Sequence, residues 1–139
     1  MNCHSLLLID DNPHDIELTL AALGDEPDQD VKVVTSGREA LDYLASHPEK
    51  TPDLILLDLN MPHMNGLEVL DALRAQEQTR DVPVVVLTTS SEESDRRQSY
   101  EHGASDYVVK ALDLSQFYEA MDRVKAFWRA LRPRTVRTF

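Results

Sequence analysis

At 139 residues, with 42% apolar and 28% charged side chains, the chain has the size and composition of a single globular domain that needs no cross-links to fold. Its one cysteine, Cys3, excludes a disulfide framework and fits a reducing cytoplasm, and no apolar run nears the ~20 residues that span a bilayer. The net charge of −11 is uneven: residues 1–122 hold all 25 acids, whereas residues 123–139 hold six bases and no acid, so the body repels nucleic acid while the basic end suits a helix terminus or an acidic surface.

The start, MNCHSLLLIDD, lacks a basic segment ahead of its apolar run and does not read as a signal peptide. SLLLI (5–9) predicts a first strand. Asn12-Pro13 then predicts a helix entry, an N-cap followed by proline at the first helical position, with Ile16, Leu20 and Leu23 on one face. VKVV (31–34) predicts a second strand. Ser36 predicts the next helix start, three residues before Glu39 as in a capping box. DLILL (53–57) is the third strand, and Asn65-Gly66 opens LEVLDALR. VPVVVLT (82–88) is the fourth strand, and Ser91 opens EESDRRQSYEHG. YVVK (107–110) is the fifth, and Asp113 caps a long last helix that Pro133 ends. Strands and helices alternate five times. That pattern predicts an α/β fold with a five-stranded parallel sheet covered by helices on both faces.

Ligands of such sheets bind beyond the carboxyl ends of the strands. The first strand ends in Asp10-Asp11, the third in Asp58, the fourth in Thr88-Thr89-Ser90 and the fifth in Lys110. Taken singly, each of these residues reads more simply as a cap, a turn residue or a solvated side chain. Together they put three carboxylates, a hydroxyl and an ammonium on one rim. Three carboxylates this close raise one another's pKa values unless something offsets their charge. An oxygen-only set suits a hard cation such as Mg²⁺. The lysine and threonine suit an anion, and a phosphoryl group fits the whole inventory.

With those residues in view, the sequence resembles the receiver domain of two-component response regulators. The likeness rests on Asp10-Asp11 after LLLI, Asp58 in LILLDLNMPHMNG, Thr88 in PVVVLTT, and Tyr107 with Lys110 in DYVVK. It covers about residues 5–131, leaving residues 1–131 as the receiver domain and 132–139 as a basic tail with no domain of its own. The resemblance implies the doubly wound (βα)₅, flavodoxin-like fold with strand order 2-1-3-4-5. It implies that Asp58 accepts a phosphoryl group from a sensor histidine kinase. Mg²⁺ would be held by Asp11, Asp58 and the backbone carbonyl of Asn60, with Asp10 acting mostly through water. Lys110 and Thr88 would contact the phosphoryl group, and Tyr107 would be the aromatic that turns inward. An enzymatic alternative, a phosphatase with an aspartyl-phosphate intermediate, needs a second acid two residues after the nucleophile, where this chain has Asn60. A receiver that only binds, or one that only drains phosphate from a kinase, are further alternatives.

Three positions depart from the family, the first being Asn65, which replaces the commoner Asp before Gly66 as an exchange of one cap residue for another. Ala111 follows Lys110 where proline is usual, and a cis bond before a non-proline residue costs about 3–4 kcal/mol. Thr89 stands where Ala or Gly is usual, and it is expected to narrow water access and slow loss of the phosphoryl group.

No output domain follows, so the output is expected to be a surface. In the last helix Leu114, Phe117, Met121, Val124, Trp128 and Leu131 form a core stripe, with Tyr118 and Phe127 to either side. Tyr118 and Phe127, and with them Trp128, are the candidate partner surface. The stretches LLIDDNPHDIELT, PVVVLTTS and QFYEAMDRVKAFW also resemble the single-domain regulators paired with phytochrome-type sensor kinases. That resemblance implies a phytochrome-type kinase partner and a homodimer formed through the last helix and the C-terminal arm.

Overall fold

The computed structural model describes residues 4–59, 61, 64–110 and 113–131. Asn60, Ala111, Cys3, Pro133 and the tail 132–139 lie outside them, as do the expectations placed there: the Asn60 carbonyl, the Lys110–Ala111 bond and the arm. The elements are β1 (His4–Ile9), α1 (Pro13–Leu23), β2 (Gln29–Val34), α2 (Gly37–Ser46), β3 (Leu54–Asp58), α3 (Gly66–Ala75), β4 (Val84–Thr88), α4 (Glu93–Glu101), β5 (Asp106–Val109) and α5 (Leu114–Ala130), with a 3₁₀ turn at Pro48–Lys50. All neighbouring strands pair in parallel, in the order β2-β1-β3-β4-β5. This is the expected doubly wound sheet.

The central strands are apolar throughout because both of their faces are covered. Leu6, Leu8, Leu54, Leu56, Val85 and Leu87 face α1 and α5, where Leu23, Phe117, Met121 and Val124 meet them. Leu7, Ile9, Ile55, Leu57 and Val84 point the other way, onto Ala40 and Leu44 of α2 and Val69, Leu70 and Leu73 of α3. Each such leucine or valine stabilises the fold by roughly 1.5–3 kcal/mol. β2 differs: its burial alternates until Val34, as suits an edge strand with one face toward water.

The helix starts follow local chemistry. The Asn12 side chain accepts the N–H groups of His14 and Asp15. Asn65 and Glu68 form a full capping box. At Ser36 the box is only half made: Ser36 accepts the Glu39 N–H, while the Glu39 carboxylate reaches one residue further back, to the N–H of Thr35. α4 starts later than Ser91 predicts, at Glu93, because Ser90 serves as the local bracket by accepting the Glu92 N–H and donating to Asp95.

Two expectations about α5 need correction. Trp128 is no partner surface. It is fully buried in the core with Phe117 and Met121, its indole N–H donates to the Ser5 carbonyl at 3.1 Å, and its ring meets His4 edge-on. Helical spacing from Phe117 and Met121 turns it inward. Leu114, expected in the core stripe, is 52% exposed, because the first residue of α5 lies ahead of the stretch that packs on the sheet. Tyr118 and Phe127 are exposed as expected.

Candidate functional site

The strand order reverses between β1 and β3, and the acids gather at the carboxyl ends of these two strands. Asp10 and Asp11 follow β1, and Asp58 closes β3. Each offers a carboxylate oxygen within 4.8 Å of the others. Asp10 is fully buried and Asp58 nearly so. One oxygen of Asp10 accepts the Asn12 N–H at 3.0 Å, which fixes the turn into α1.

The loop after Asp58 is held close by Gly66. A Cβ there would come within 2.7 Å of the Leu59 Cα and 2.9 Å of the Asp58 carbonyl oxygen. The Gly66 N–H donates to Leu59 O at 2.9 Å. The chain therefore doubles back directly over the phosphoacceptor candidate, and only glycine lets the two backbones approach so closely.

Lys110 crosses to these acids from the end of β5. Its ammonium lies 3.0 Å from Asp15, 3.1 Å from Asp10 and 3.6 Å from Asp58, and its side chain is 7% exposed. Burial alone would lower its pKa. The charges of Asp58 and Asp10 and the hydrogen bonds to Asp15 and Asp10 outweigh burial and leave it raised. An open cavity of about 450 Å³ above the acids is lined by Asp11, Asn12, Asp15, Asp58, Thr89 and Lys110.

Thr88 is fully buried at the end of β4, and its hydroxyl accepts the Ser90 N–H at 3.1 Å. Thr89 is exposed at the cavity mouth. Tyr107 is turned inward at 4% exposure; its hydroxyl donates to the Ser90 carbonyl at 2.9 Å, and the Arg96 guanidinium lies 5.1 Å from its ring. Thr88, Ser90 and Tyr107 thus form one linked group beside the acids. The arrangement offers an oxygen pocket for a divalent cation next to a buried ammonium and a hydroxyl.

The model of the response regulator receiver domain matches residues 6–122. The chain belongs to that family. Among curated receiver proteins, response regulator Rcp1 of Synechocystis sp. is 33% identical over 128 residues, covering 88% of this chain and 87% of Rcp1. The solved receiver structures include the phosphorylated cyanobacterial phytochrome response regulator RcpA, 35% identical with a TM-score of 0.84 over 92% of this chain and 95% of that one. The bacteriophytochrome response regulator AtBRR is 41% identical with a TM-score of 0.73 over 92% and 96%. A Mn²⁺-bound form of Rcp1 is also known. Several other curated receiver proteins are longer, and this chain spans from 24% to 65% of their length.

The sequence reading missed Asp15 and Arg74. Asp15 carried a signal: a helix that starts directly after the acid pair must lay its first turn on the same rim. Arg74 carried none. Its guanidinium donates to the carbonyls of Gly103, Thr79, Arg80 and Val82, tying two loops at the other end of the sheet.

Proposed function

We propose that this receiver is a response regulator that takes a phosphoryl group from a sensor histidine kinase onto Asp58. The convergence of Asp10, Asp11 and Asp58, with the Lys110 ammonium beside Asp10 and Asp58, is the observation that carries this reading. A carboxylate oxygen of Asp58 attacks phosphorus as the phosphorus–nitrogen bond of a phosphohistidine breaks, and the imidazole leaves with the bonding pair. The oxygen-only donor set fits Mg²⁺, with Asp10, Asp11 and Asp58 as the residues that would hold it; the Mn²⁺-bound form of Rcp1 supports this choice. When bound, the ion neutralises charge on the transferring group.

The chain's own residues do the rest. Lys110 offsets negative charge from the β5 side, and the Thr88 hydroxyl can leave the Ser90 N–H to meet a phosphoryl oxygen. Tyr107, bonded to Ser90, would sense that move. Thr89 at the mouth slows the entry of water. The likeness to RcpA and AtBRR supports a phytochrome-type kinase as partner. Tyr118 and Phe127, at 37% and 44% exposure on α5, support pairing with a second copy as the output.

Incubation with Mg²⁺ and acetyl phosphate, followed by intact mass, should give one phosphoryl adduct that Asp58→Asn abolishes. An adduct that persists in Asp58→Asn would place the chemistry elsewhere. Sedimentation before and after uptake tests the second copy; unchanged mass in both states would remove it as the output.

A further inference from the structure

Lys110 lies closer to Asp15 and Asp10 than to Asp58. Asp10 and Asp58 belong to the trio of converging carboxylates; Asp15 does not. Asp15 occupies the first turn of α1, where its own N–H is fixed by the Asn12 cap, and its carboxylate receives the Lys110 ammonium across 95 residues of sequence. The pair is shielded, with side chains 7% and 26% exposed, so the attraction is stronger than for two solvated charges.

We infer that Asp15 is a positioning residue that holds Lys110 on the α1 side of the rim and so sets how readily the ammonium engages a phosphoryl group on Asp58. This rests on the function proposed above. An ammonium has three protons to donate. In the structure two of its bonds go to Asp10 and Asp15, and Asp58 lies beyond hydrogen-bond length. A phosphoryl oxygen arriving on Asp58 must draw Lys110 toward itself. Asp10 sits beside Asp58, within the trio of carboxylates. Asp15 lies outside that trio, and its hydrogen bond to the ammonium competes with the one a phosphoryl oxygen would make.

The test is a double-mutant cycle of Asp15→Asn and Lys110→Met, with Asp15→Glu as the conservative variant. The first readout is thermal unfolding without metal or phosphodonor. Asp15→Asn should lower the midpoint by about 2 °C in the wild-type background and leave it unchanged beside Lys110→Met. The second is the rate of phosphoryl uptake from acetyl phosphate at saturating Mg²⁺, read by intact mass. Asp15→Asn should speed uptake by about three- to tenfold, Asp15→Glu should stay within about twofold of wild type, and Asp15→Asn should add nothing beside Lys110→Met. An equal acceleration in both backgrounds would mean that Asp15 acts as a diffuse charge at the cavity mouth, and would overturn the inference. Normal uptake unaffected by Asp15→Asn would overturn it alone. A wild type that takes up nothing would overturn it together with the function it rests on.

Discussion

Asp53 stands just before β3 and Asp58 ends it, and both are buried, at 1% and 6% exposure. Their surroundings are opposite. One Asp53 oxygen accepts the Ser5 N–H at 2.7 Å and the Ser5 hydroxyl at 3.3 Å, and the Asp53 N–H returns to the Ser5 carbonyl at 3.1 Å. The pair ties β3 to β1. Asp58 at the other end meets two further carboxylates and an ammonium shared with Asp10 and Asp15. A buried carboxylate met by N–H and O–H donors serves the fold. One met by other carboxylates is held ready for charges that come from outside.

Exchanging these roles by mutation gives the sharpest test. Asp58→Asn should reduce phosphoryl uptake below detection while the urea midpoint holds or rises, since one like charge has left the trio. Asp53→Ala should do the reverse: with the half-buried Ser5 N–H left without this acceptor, unfolding in urea should become easier by about 1 kcal/mol, and uptake per folded molecule should not change. Equal unfolding free energies would show that the β1–β3 tie adds nothing.

Alkaline unfolding separates the two ends more finely. The raised pKa of Lys110 means that its contribution to stability is complete below its unfolded value of about 10.4 and is lost as pH climbs through the folded value above that. Lys110→Met should therefore flatten the stability profile above about pH 10, and Asp53→Ala should leave its slope intact. The smallest effect is expected at Thr89: Thr89→Ala should speed loss of the phosphoryl group by about threefold, followed by the decay of the intact-mass adduct. An unchanged decay would clear Thr89 of any part in excluding water.

The strands and the rim were legible because unbroken Leu, Ile and Val runs alternate with capped helices, and because the acids stand where those runs stop; the strand order came only from the resemblance to receiver domains. Boundaries were less so. Ser91 carries the side chain of a cap, yet Ser90 provides the bracket and α4 begins two residues later, since tertiary position decides among adjacent hydroxyls. Trp128 lay on the apolar stripe that buries it, and that spacing outweighs its place next to Phe127. Asp15 escaped because nothing in one chain segment shows that an ammonium 95 residues away will reach it. Arg74 escaped for a like reason: its four carbonyl partners belong to loops whose meeting is a property of the folded sheet.

Trp128 is the chain's one tryptophan, and it is anchored to Ser5 at the start of β1. Asp10 lies beyond the far end of that strand, about 16 Å away at ~3.3 Å per residue. The molecule thus carries its own optical probe, buried at the pole opposite the acids. Chemistry confined to the rim leaves that emission dark to it. A shift in its colour or lifetime on phosphoryl uptake would be a message that had travelled the length of the sheet into α5, read without attaching any dye.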